Sequence, residues 1–127
     1  MTHLFYREDV DAMLMTVQGR VVLDDYRKAL NELVHSEYFH SNMSTIWDLR
    51  KADLCDLTTG DIRDGALLSV LSAEERGTNW KTAIVVEGDL GFGLARMFEV
   101  FANGAPYRMT IFQTIEKAEA WIKKRSD

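Results

Sequence analysis

The stretch Lys81-Thr82-Ala83-Ile84-Val85-Val86-Glu87, followed at once by Gly88-Asp89-Leu90-Gly91-Phe92-Gly93, decides the fold. Its middle is apolar at consecutive positions, without the alternation of a strand that has one wet face. Such a run belongs in the centre of a sheet covered on both sides, as parallel strands in α/β proteins are. The glycines after it predict a turn, and a helix from about Leu94 to Ala102, closed by Asn103-Gly104, follows. A strand feeding directly into a helix is half of a βαβ unit.

Toward the C-terminus, Tyr107 to Gln113 reads as the last strand. Thr114 caps a last helix whose apolar stripe is Ile115, Ala118, Trp121 and Ile122, with Lys123, Lys124 and Arg125 in the last turn, where cations suit the helix dipole. Toward the N-terminus, Thr58 caps a helix with Asp61 at the capping-box offset. Ile62, Ala66, Leu67, Val70 and Leu71 carry that helix to about Arg76, and Gly77 ends it. Before it, Ser44 to Leu49 is a short buried strand and Arg50 to Asp56 a loop. Leu23, Tyr26, Leu30, Leu33 and Val34 fall on one helical face, with Asp24 and Asp25 in the first turn. His3 to Glu8 and Ala12 to Gln18 read as strands whose short link forces an antiparallel hairpin. The predicted order is β-β-α-β-α-β-α-β-α: one α/β domain over residues 1–127, a mixed five-stranded sheet with an N-terminal antiparallel hairpin and four helices.

A chain of 127 residues sustains a single core without disulfides. Fifteen basic against twenty acidic residues give −5, which argues against nucleic acid or an anionic membrane surface as partner. Cys55 is the only cysteine, excluding a disulfide framework and a cysteine-rich zinc site. Its neighbours Asp53 and Asp56 oppose the thiolate that a nucleophile needs. No membrane-spanning segment and no signal-peptide layout is found, so a cytoplasmic location is the default expectation.

His35 and His40 lack the helical pairing of a metal motif and are expected to face solvent near the end of the first helix. Gly88, Gly91 and Gly93 match neither the dinucleotide nor the Walker pattern. Nothing supplies a convergent nucleophile, base and oxyanion donor, so neither catalytic residues, metal nor cofactor is expected. Ligands in such sheets bind at the carboxyl ends of the parallel strands. Here those ends are Asp48 to Ala52, Glu87 to Gly93 and Phe112 to Thr114, with Asp48 and Arg50 as a polar mouth or as a mutual ion pair. The third helix is greasier than one buried stripe requires. Phe92, Leu94, Met97, Phe98 and Phe101 form a candidate surface for an apolar ligand or for a second copy in a homodimer, or they face another helix. Met13, Met15, Met97 and Met109 would give a pocket an adaptable wall.

The element order resembles the STAS-like fold of anti-sigma-factor antagonists and sulfate-transporter domains, and is most similar to its SpoIIAA-like branch, related to lipid-binding CRAL-TRIO (Sec14-type) domains. Three stretches carry the resemblance: Gly19-Arg20-Val21-Val22-Leu23-Asp24-Asp25-Tyr26 at the junction into the first helix, Ile46-Trp47-Asp48-Leu49-Arg50-Lys51-Ala52 in the third strand, and the run from Ile111 to Ile122 at the close. The resemblance implies a non-enzymatic regulatory module for a protein partner, or a carrier of lipid-like molecules. It also points to Asp56-Leu57-Thr58-Thr59-Gly60, where phosphorylatable antagonists carry Asp-Ser-Ser-Gly. Thr59 takes the phosphate-accepting position and Thr58 precedes it, although Leu57 is inserted and threonines replace serines. Plain helix capping is the alternative reading of both threonines.

Overall fold

The computed structural model describes residues 1–124. Five strands, β1 (Thr2–Arg7), β2 (Ala12–Arg20), β3 (Ser44–Asp53), β4 (Lys81–Val85) and β5 (Arg108–Phe112), lie side by side in sequence order. Only the β1–β2 hairpin is antiparallel; the remaining pairs are parallel. The helices are α1 (Leu23–Val34), α2 (Thr59–Leu71), the single turn α3 (Ala73–Arg76), α4 (Gly88–Phe101) and α5 (Ile115–Lys123). The expected fold class stands, with α3 as a one-turn addition after α2 breaks at Ser72.

Helices α1, α2 and α4 connect parallel neighbours by crossovers and cover one face, where Leu33, Trp47, Ile84 and Ala95 build the larger core. Helix α5 covers the other face, packing Ala118 on Ile46, Ala83 and Val85. All of β4 is buried, as its doubly apolar sequence requires. Lys81 reaches burial by donating from Nζ to the carbonyls of Trp121, at 2.7 Å, and Lys124, so a strand lysine closes the C-terminus of α5. Of the cations read into that last turn, Lys123 is in the helix, Lys124 follows it, and Arg125 lies outside the described residues.

Two boundaries correct the sequence reading. Arg50 to Asp53 are not loop but the end of β3: Leu49 and Arg50 form a bulge opposite Val17, and Lys51 to Asp53 pair with β2 beyond it. The glycines from Gly88 to Gly93 are not a turn before the helix but its first turns. Only Gly88, with φ 75°, needs the left-handed region. Gly91 allows close approach: a Cβ there would stand 3.2 Å from the Cβ of Val86.

Candidate functional site

The amino ends of α1, α2 and α4 converge over the carboxyl end of the parallel strands and leave a cavity of about 130 Å³, open at one end. Its floor is buried: Ala29 of α1, Trp47 of β3, Thr82 and Ile84 of β4, and Ala95 of α4. Its mouth is formed by the exposed Val22, which precedes α1, and by the half-exposed Asp25 of α1, Leu57, Asp61 of α2 and Leu94 of α4. Apolar walls follow from the helical periodicity that puts Tyr26 and Ala29, or Leu94, Ala95 and Phe98, on the face turned to the sheet. Gly65 keeps room beside Leu23, Tyr26 and Phe98; a Cβ there would meet them at ordinary contact distances.

Both acids at the mouth belong to helix starts. Oδ2 of Asp25 accepts the Val22 N–H at 2.8 Å. Oδ2 of Asp61 accepts the Thr58 N–H at 3.0 Å, while Thr58 Oγ1 accepts the Asp61 N–H at 3.1 Å, completing the capping box read from sequence.

Beyond the floor lies a buried polar cluster. Trp47 donates from Nε1 to Thr45 Oγ1 at 3.2 Å, and the same oxygen accepts from Arg76 Nη2 at 3.3 Å. Arg76 is 2% exposed, lies 4.3 Å over the Trp80 ring, and leaves its Nε without an acceptor. Burial brings its pKa down to about 10. Trp80 stacks on Tyr107, whose hydroxyl is 2.6 Å from Ser69 Oγ. Burial likewise raises the phenols of Tyr26 and Tyr107. This cationic cluster was not legible from the sequence, because an arginine at a helix end is ordinarily a surface residue.

Of the residues singled out from sequence, Leu94 and Phe98 line the cavity. Phe92 instead packs half-buried against the main core, and Met97 is half-buried outside the cavity lining. Phe101 is 41% exposed at the end of α4, too open for a core role. Met109 lines the cavity, while Met13 and Met15 are fully buried core. Asp48 and Arg50 form the bidentate pair, Nε to Oδ1 at 2.9 Å and Nη2 to Oδ2 at 3.0 Å, which holds the Asp48 carboxyl below the usual range although burial opposes this. They are not the cavity's polar mouth: Ile46, two residues before Asp48, packs toward α5, whereas Trp47 and Leu49 face the cavity. Thr58 is the N-cap of α2, and Thr59 is exposed at its first position. Cys55 is exposed, and its bond with Asp53 raises the thiol pKa. His35 and His40 are exposed, as expected, and His40 in addition has a partner, its Nε2 lying 2.9 Å from both carboxylate oxygens of Asp11. No group of three or more metal-ligating side chains occurs among the described residues. No helix there is long and apolar enough to cross a membrane.

No family model and no curated protein matches the chain. Among solved structures it is similar to an uncharacterized protein of the DUF3478 family from Shewanella loihica PV-4, described as having a SpoIIAA-like fold. The two are 17% identical, with a TM-score of 0.61, over 96% of this chain and 92% of that one. Element order, the antiparallel first strand and the consecutive parallel strands agree with that likeness, and the chain has the SpoIIAA-like fold.

Proposed function

We propose that this SpoIIAA-like module is a non-enzymatic binding protein whose site is the cavity under α1, α2 and α4, and that its ligand is a small molecule with an apolar body. The observation carrying this reading is the cavity's place and chemistry. It lies beneath the first turns of α1, α2 and α4, which begin at the carboxyl ends of the parallel strands, where α/β sheets bind ligands. Its floor reaches Thr82 near the amino end of β4 and is apolar except for that residue. A volume of about 130 Å³ is close to the roughly 150 Å³ that stays dry and takes up benzene. It falls short of the roughly 300 Å³ at which drug-sized pockets begin, so a ring or short branched chain fits where a long acyl chain does not.

Ala95→Leu tests this, because it puts a larger apolar side chain into the floor. Toluene or fluorobenzene, followed by protein-observed NMR, is expected to shift the signals of Ala29, Ile84 and Ala95 saturably, and the variant is expected to lose the response while staying folded. Equal shifts in the variant, or none in the wild type, would refute the reading. A second reading, docking of a protein partner or a second copy, is favoured by the exposed apolar side chains Leu67 and Leu71 of α2 and Val100 and Phe101 of α4. Sedimentation at increasing concentration, compared with that of Val100→Lys, separates self-association from the monomer.

A further inference from the structure

We propose that the ligand of this cavity is an amine: a ring or branched aliphatic body in the apolar volume, with its ammonium held at the mouth between Asp25 and Asp61. The proposal rests on the reading of the cavity as a ligand site and gives that ligand its charge. The lining contains these two carboxylates and no lysine, arginine or histidine. Neither acid forms an ion pair among the described residues, although other acids of α1 and α2 do: Asp24 with Arg27 and Lys28, and Asp64 with Arg63.

Capping does not exhaust the two side chains. In each, Oδ2 takes one backbone N–H, so Oδ1 remains as an acceptor. The positive ends of α1, α2 and α4, all three at the cavity, offset part of the charge. Each helix end supplies roughly half an elementary charge, so two carboxylates leave the mouth at about −0.5. An ammonium carries three donors, enough for both Oδ1 atoms and a water. Because the mouth is open, the cation keeps part of its hydration and escapes the cost of full burial.

The interior agrees with the mouth. Tyr26, Trp47 and Phe98 line the cavity, so an aromatic or branched body would pack among aromatic side chains. The same charges oppose a carboxylate ligand, which adds to the volume argument against a fatty acid. At long range the net charge of −5 draws cations toward the protein.

Three probes matched in ring and length separate the terms: benzylamine, benzyl alcohol and benzoate, titrated by NMR at low salt. Benzylamine is expected to bind about tenfold tighter than benzyl alcohol, and benzoate most weakly, with the amine's advantage shrinking as salt screens it. In Asp25→Asn/Asp61→Asn the advantage disappears, because asparagine keeps an oxygen for the cap N–H but not the charge. Each single Asn variant, which perturbs only one helix start, loses about half of the advantage on a logarithmic scale. Equal binding of amine and alcohol, abolished by Ala95→Leu, would overturn the amine and leave the cavity as the site. Binding of none of the probes would overturn both. Amine binding that survives Ala95→Leu would mark surface ion pairing and also overturn both.

Discussion

Asp11 has φ 49°, a left-handed conformation that aspartate tolerates better than most residues, and from the hairpin turn it holds two partners. Tyr6 donates its hydroxyl to Oδ1 at 2.8 Å, and the His40 ring spans both oxygens, tying the hairpin to the segment before β3. The hydrogen bond with Asp11 raises the His40 pKa, and the one with His40 lowers that of Asp11. The histidine's contribution is full below about 6.5, its unfolded value, and fades as pH rises through its folded pKa. The aspartate's contribution is full above about 3.9 and fades as pH falls through its own folded value. Asp11→Asn, which keeps the backbone conformation, is therefore expected to lower the urea midpoint at pH 5.5 and to match the wild type more closely at pH 9. A gap independent of pH would sink the ion pair as its cause. Thr58→Ala is expected to cost about 1 kcal/mol by loss of the cap, read as a lower denaturation midpoint with unchanged slope. Thr58 was legible from its neighbours because a cap is a local contact. The pairing of Asp11 with His40 was not, since nothing local predicts a contact across 29 residues.

At the scale of the element, α4 departs furthest from its sequence. Each glycine costs a helix about 1 kcal/mol relative to alanine, so Gly88-Asp89-Leu90-Gly91-Phe92-Gly93 reads locally as a turn. Tertiary packing overrides that preference, because Gly91 lets the helix approach Val86, which is 1% exposed and stiff at its β-branch. The glycines therefore respond oppositely to alanine. Gly93 has nothing within 4 Å of its added Cβ, and Gly93→Ala is expected to stabilise by up to about 1 kcal/mol. Gly91→Ala gains the same propensity but meets a neighbour that cannot yield, and is expected to destabilise. Thermal melts of the two variants decide this, and a stabilised Gly91→Ala would contradict the close approach. The surplus of apolar side chains on α4 was legible, but its division was not. Periodicity alone does not tell Leu94 and Phe98 in a cavity wall from Phe92 in the core or Phe101 in the open.

For the molecule as a whole, the alternation of strand and helix was the strongest signal in the sequence, and it held because each βα unit is built from local periodicity and short connections. The cavity's existence was legible only as a place, the carboxyl ends of the strands, since its volume depends on how three helices settle against one another. Amide exchange checks the layering: Ile84 and Val85, on a buried strand paired on both sides, are expected among the slowest amides. Fast exchange there would contradict an interior β4. Strand order in space equals strand order along the chain, and this bears on how the protein is made. As the polypeptide leaves the ribosome, each strand finds its partner already present, so the sheet grows in one direction without waiting for distant sequence. The exception is β4. Its far edge and one of its apolar faces stay bare until β5 and α5, which follow it along the chain, arrive to cover them. An unfinished chain released after Val86 would thus expose a naked β-segment that is apolar from Ala83 to Val86, and its fate would be aggregation and degradation rather than partial function.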